Sequence, residues 1–223
     1  MATPAPWSSP TTANLADYFA FVGTQIEDLS VNLPFVASTA TGGTLTTLTD
    51  TAQVWTPGQW VNSYLDDETA AFVVPISANS AASLTFASQL VSAAAGDTYI
   101  VVPPIVYTSF NVALSIVNDA LASAGTGTYV LAVYNLAMDR LVNYAPDQSG
   151  QTYFAKLRST FHLTSLSVGA VASASDQGTS ASIANPEWMR SMTMRDIETL
   201  KTPWGRTYMG FAQAYGPTIW GLT

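Results

Sequence analysis

Cysteine is absent from this chain, histidine occurs once, and no basic residue precedes Arg140. The first absence excludes disulfides and thiolate metal sites and leaves the redox compartment open. With a single histidine as well, a zinc site would have to be built from carboxylates alone, which is a poor donor set for that ion. The third absence argues against residues 1–139 gripping nucleic acid, because phosphate contacts need Lys and Arg. No apolar run of about 18 residues is present to cross a membrane, and the opening ATPAPWSSP after Met1 lacks the basic start and apolar stretch of a signal peptide. The expectation is a soluble protein.

Charge of either sign is scarce. Charged residues make up 10 % of the chain and hydrophobic ones 48 %, with a mean hydropathy of +0.22, whereas about 25 % charged is usual for a soluble domain. Much of the surface is therefore expected to be buried against partners in a large assembly. What charge there is lies unevenly. Ten of the fifteen acids and none of the seven basic residues fall in residues 1–139, which leaves −10 there and +2 in the remainder, together the net −8. Such an asymmetry bears on solubility and association rather than on fold.

Motifs that carry catalysis are missing too. The sequence contains no G-x-x-x-x-G-K-S/T, no G-x-G-x-x-G and no G-x-S-x-G. His162, between Phe161 and Leu163, reads as a core or surface histidine. The triplet Asp66-Asp67-Glu68 lacks the spaced ligands of an EF-hand loop and reads as a solvated turn. No catalytic, cofactor-binding or metal site is expected, no cofactor is implied, and the protein is expected not to be an enzyme.

The stretch Val106 to Tyr144 organises the remainder. Phe110, Ala113, Leu114, Val117, Ala120, Leu121 and Ala124 recur at helical spacing, as do Val130, Val133, Tyr134, Ala137, Leu141 and Tyr144. Ser109 reads as the first N-cap, Gly125-Thr126-Gly127 as a short turn, and Pro146 stops the second helix at or before Ala145. This predicts an antiparallel helical hairpin, apolar nearly all round and hence buried.

Before it, Thr12 to Leu29 reads as an amphipathic helix. Residues 33 to 104 read as short strands near Thr44–Leu48, Trp60–Leu65, Ala70–Ile76, Ser83–Ala87 and Thr98–Val102, separated by turn residues. After the hairpin come a short helix, Gln151 to Phe161, and an extended arm, Leu166 to Ala184. Asn185-Pro186 and Thr193 with Asp196 read as helix starts, and the last helix runs from Pro203 to Tyr215. The expected fold is α+β: a helical domain with a central antiparallel helical hairpin and an inserted, peripheral, separable small all-β module, barrel or sandwich. Its segments are 1–32 (arm and helix), 33–104 (β module), 105–165 (hairpin and short helix) and 166–223 (arm and C-terminal helices). Trp204, Tyr208, Phe211, Tyr215 and Trp220 form an aromatic set expected in the core or at a subunit interface.

The run YVLAVYNLAMDRLVNYAPDQSGQTYFAKLR, together with LKTPWGRTYMGFAQAYGPTIWGLT, resembles small virion proteins of tailed bacteriophages. The stretch ATGGTLTTLTDTAQVWTPGQWV is similar to a Thr-rich, Trp-containing β module of phage structural proteins. With an N-terminal helix, a central hairpin and a C-terminal aromatic helix, the chain looks most like the head-to-tail connector (adaptor) proteins, although the β module is a departure from their pattern. The resemblance implies a homo-oligomeric ring in the virion neck, twelvefold by analogy, made in the host bacterial cytoplasm. Its partners would be the portal and tail or neck proteins, with transient passage of phage DNA and no membrane contact. Asp66, Asp67 and Glu68 are then candidates to face the DNA channel. The alternative is a tail, baseplate or fibre-associated protein whose β module binds a receptor or glycan.

Overall fold

A computed structural model describes residues 12–164, 173–176, 179–182 and 193–215. The first helix, α1 (Leu15–Gln25), starts where Asn14 accepts the Asp17 amide on its side chain, and Asp17 sits in the positive first turn. Its buried face is Leu15, Tyr18, Phe19 and Val22, the i, i+3, i+4, i+7 pattern of a core-facing stripe. The expected single helix to Leu29 is broken: Asp28 takes φ 47° and a separate turn, α2 (Leu29–Asn32), follows.

Seven strands come next: β1 (Val36–Thr39), β2 (Gly42–Gly43), β3 (Thr47–Thr49), β4 (Tyr64–Asp67), β5 (Phe72–Asn79), β6 (Ser83–Phe86) and β7 (Thr98–Val102). They form one antiparallel sheet in the order β1-β7-β4-β5-β6-β3-β2. Strands β1 and β2 lie at its two edges, yet only Ala40 and Thr41 separate them in the chain. The sheet therefore bends until both edges meet one continuous stretch, which removes most of the exposed ladder an open edge would leave. Where that stretch passes, Gly43 is obligatory: a Cβ there would stand 2.7 Å from Ala93 Cβ and from the Thr47 carbonyl.

The helices that follow are α3 (Pro104–Ile116), α4 (Thr126–Tyr144) and α5 (Tyr153–Thr160), then α6 (Met194–Thr199) and α7 (Pro203–Tyr215). Every residue from Ala132 to Val142 is buried in α4, because α1, α3, α5 and α7 all pack against it. It ends at Ala145, before Pro146, as read from the sequence. Thr193 and Asp196 form the capping box that opens α6. A further pair, β8 (Ser173–Asp176) and β9 (Thr179–Ser182), is an antiparallel ladder inside the expected extended arm. The Asn185-Pro186 helix start lies outside the described residues.

The expected fold is corrected on two counts. A central hairpin is not what joins α3 and α4: α3 begins at the end of β7, Ser109 is inside it rather than capping it, and after Ile116 the chain runs through a 3-10 helix, Asp119–Ala124. The β region, likewise, is not a peripheral insert. Side chains alternate along β7, so that Ile100 and Val102 enter the hydrophobic cluster of the helices while Tyr99 and Val101 enter a second cluster within the bend of the sheet. Strands β1 and β4 divide the same way: Ala37 and Tyr64 face the helices, Val36 and Leu65 the second cluster. Tyr64 stacks on Tyr107 of α3 at 3.7 Å between ring centroids. The result is a mixed α and β fold in which one sheet is shared by two cores.

Candidate functional site

The acid triplet is not a turn. Asp66 and Asp67 are the last residues of β4, and the turn is the four residues Glu68–Ala71 after them. Alternation sends the two aspartates to opposite faces, so the three acids do not act as one surface. Asp66 is 7 % exposed and Asp67 fully buried, whereas Glu68 is exposed.

Asp67 points toward Asp97. Its Oδ1 accepts the Ala70 amide at 2.8 Å and its Oδ2 has no partner. Burial raises its carboxyl above the usual range, and the Asp97 charge adds to that.

Asp66 faces the helices, where it accepts the Ala16 backbone amide. A groove of about 540 Å³ opens there, with Asp17, Asp66, Glu68, Tyr107, Phe110 and Asn111 on its walls. Burial first, and then the Glu68 charge, push the Asp66 carboxyl up to about 7 against the Ala16 bond, with Asp67 and Asp17 adding to the rise. Burial and then Asp17 and Asp67 raise Glu68 as well. The sole ion pairs among the described residues, Arg140–Asp139 and Arg158–Asp147, lie elsewhere. The groove thus holds carboxylates close enough to oppose one another's ionisation, with no cation paired to them within the described chain. Among the described residues no group of three His, Asp or Glu side chains has the geometry of a metal site.

Asp17 is the member sequence reasoning did not place in this group. It belongs to helix α1, 49 positions before Asp66, and the signal for it was only its position on the polar face of that helix.

Of the aromatic set, Trp204, Tyr208 and Phe211 pack against the helical cluster. Trp204 Nε1 donates to Gln25 Oε1 at 3.0 Å and its ring meets Phe161 edge-on. Tyr215, at 52 %, is exposed, and Trp220 lies outside the described residues. His162, exposed, turns the chain after α5 with φ 53°.

What the fold and groove define is a mixed α and β protein with an acidic groove beside the first helix. No family model matches the chain, and neither a curated protein nor a solved structure matches it.

Proposed function

We propose that the chain is a non-enzymatic structural subunit of a tailed-phage virion, a head-to-tail connector (adaptor) ring in the neck that joins portal to tail and lines the DNA channel. The observation that carries this reading is the character of the surface. Large apolar side chains stand out in solvent, with Leu90 and Val54 at 102 % and 92 % exposure and Tyr144 at 66 %, on a chain with only 10 % charged residues. Leu90 stands with the exposed Val91 beside it and Leu45 on the hydrogen-bonded neighbouring segment, a grouped apolar exposure of the kind that suits contact with a partner. The resemblance of the C-terminal runs to small virion proteins of tailed bacteriophages supports the class of assembly. Imaging of the virion by electron cryomicroscopy tests the proposal: density for this chain in a ring below the portal is expected, and density at the distal tail tip or on the capsid exterior would overturn it.

A second reading, a tail, baseplate or fibre-associated protein that binds a receptor or glycan, is favoured by one feature. Trp55 and Trp60 each keep an unpartnered indole N–H, and both line a cleft of about 310 Å³ with Gln53 and Gln59. Both residues are 5 % exposed, so neither ring offers an open face. Sugars are held chiefly against open aromatic faces, which places this reading second.

A further inference from the structure

The acidic groove has a counterpart of opposite charge on the same chain, where α4, α6 and α7 meet. Arg140 of α4 is 8 % exposed, yet its guanidinium is poorly satisfied. One terminal nitrogen donates to Thr199 Oγ1 at the long distance of 3.5 Å, the other stands 3.7 Å from Asp139 Oδ2, and Nε has no partner. A guanidinium offers five donors, and leaving a buried one short of acceptors is costly. Arg140 lines an open cleft of about 350 Å³ together with Arg195, Thr193 and Tyr208, against an apolar wall of Leu136 and Met209. Tyr208 reports the local field: burial raises its hydroxyl, the charges of Arg140 and Arg195 pull it back, and Asp196, which also lines the cleft, adds to the rise. Arg195 is exposed and makes no ion pair among the described residues. Two guanidiniums thus converge on a cleft at the small end of ligand-site volumes, one that suits a single carboxylate side chain on a turn better than an extended ligand.

The two features are different surfaces of one molecule. Helix α3 contributes Tyr107, Phe110 and Asn111 to the acidic groove, and its last residue, Ile116, to the arginine cleft. We propose that the arginine cleft is the socket for a second copy of the chain, and that it receives Glu68 on the neighbour's Glu68–Ala71 turn, with Asp17 and Asp66 of that neighbour at the rim. The inference rests on the reading of this chain as a ring subunit and adds to it the contact that makes the ring. Charge complementarity selects the occupant: the groove gathers carboxylates without a cation, and the cleft sets two guanidiniums against one carboxylate, Asp196, whose Oδ2 already accepts from Thr193 N and Oγ1. Joining unlike patches of identical subunits is a heterologous contact, which propagates head to tail and closes into a ring when the rotation permits.

Charge reversal tests this on the full-length protein. Glu68 and Arg195 are both exposed, so Glu68→Arg and Arg195→Glu should each leave the circular dichroism spectrum unchanged, and the melt unchanged at dilutions where wild type is monomeric. Self-association, measured by sedimentation and native mass spectrometry, should weaken by more than about tenfold in either variant alone. Mixing the two in equal amounts should restore it, because each variant's altered surface then meets its complement on the other. Oligomers of wild-type size in both single variants would overturn the pairing while leaving the ring reading in place. Single variants that dissociate but are not rescued by mixing would also overturn it. A wild-type chain that stays monomeric at every concentration reached would remove the ring reading, and the contact with it.

Discussion

Two fully buried carboxylates, Asp50 on the sheet side and Asp139 on the helix side, are treated in opposite ways. On the sheet side Asp50, fully buried, accepts from Ser38 Oγ at 2.7 Å, Tyr99 Oη at 2.8 Å and the Ala52 amide at 3.0 Å. Burial works to raise its pKa, but Ser38, Tyr99, Ala52 and Gln53 together hold it below the usual carboxylate value. On the helix side Asp139, equally buried, accepts one short bond from Thr202 Oγ1 at 2.6 Å, and its Oδ2 has no hydrogen-bond partner. Burial dominates there and pushes it up to about 6, although Thr202 and the neighbouring Arg140 charge oppose the rise. Burial alone does not set the state of a carboxyl; the number of donors aimed at it does. Around Asp50 the polar groups are satisfied, whereas elsewhere on the sheet side the Trp55 and Trp60 indole N–H groups and Asp67 Oδ2 have no partner. The helix side keeps unspent hydrogen-bonding capacity at Asp139 and Arg140, beside the arginine cleft.

The most severe way to break this comparison is to remove one region. Replacing residues 34–103 with a short linker takes Ile100 and Val102 from the helical cluster, together with the partly buried Phe35, Ala37 and Tyr64 that pack on it. Loss of cooperative unfolding by circular dichroism is expected. A helical remnant that still melts in one sharp transition would show that the cores are independent after all.

Next in size is Asp50→Ala, which leaves two hydroxyls and an amide without their acceptor. Removing one member of a buried, charge-assisted network is worth about 5 kcal/mol, read as a drop in the urea midpoint. Asp139→Asn, by contrast, should cost less than about 1 kcal/mol at pH 6, because an amide resembles the protonated acid that is already half populated near its pKa. Equal losses in the two variants would erase the distinction between the regions.

The sequence made some of this legible, and particular residues show where it stopped. The face of α1, the Pro146 stop of α4, the Thr193 capping box and the span of α7 all follow from local signals: periodicity, a missing N–H, a side chain three residues from its partner. Strand β7 was visible as an element, but its run Tyr99-Ile100-Val101-Val102 also carried the sign of a strand buried on both faces, the clue that the sheet is shared. The triplet at 66–68 misled because three adjacent acids look solvated, while a strand period of two sends Asp66 and Asp67 to opposite interiors. Asp17 beside Glu68, and Arg140 beside Arg195, are tertiary juxtapositions that no local pattern encodes.

The acidic groove sharpens the comparison through pH. Asp66 has a folded-state pKa raised from 3.8 to about 7, so the folded chain holds its proton more tightly than the unfolded chain does. The contribution is fully present below about pH 4 and is lost as pH rises toward 7, when the unfolded state ionises first. At one pKa unit per 1.36 kcal/mol this amounts to about 4 kcal/mol at most. Asp139 changes in the same direction and Asp50 in the opposite one, so the measurement must be a difference. The stability of Asp66→Asn relative to wild type should grow between pH 4 and pH 7. A gap independent of pH would mean that Asp66 is not held near neutrality by its surroundings.

The smallest expected effect on the fold lies at the sheet's exposed tip. Leu90 is fully exposed, with Val91 beside it at 53 % and Leu45 at 45 % on the neighbouring segment, to which the Gln89 amide bonds through the Leu45 carbonyl at 2.9 Å. A side chain that touches nothing in its own subunit contributes little to folding, so Leu90→Ser should change the unfolding free energy by no more than about 0.5 kcal/mol. Assembly is another matter, since burying one leucine against a neighbour is worth about 1.5–3 kcal/mol. If this tip is covered in the particle, the serine variant should enter assembled virions at a reduced level in competition with wild type, with an unchanged melting temperature. Equal incorporation would identify the tip as surface that faces solvent in the assembly. The contacts of the subunit would then have to come from elsewhere, beginning with the arginine cleft and the exposed Tyr144 and Tyr215.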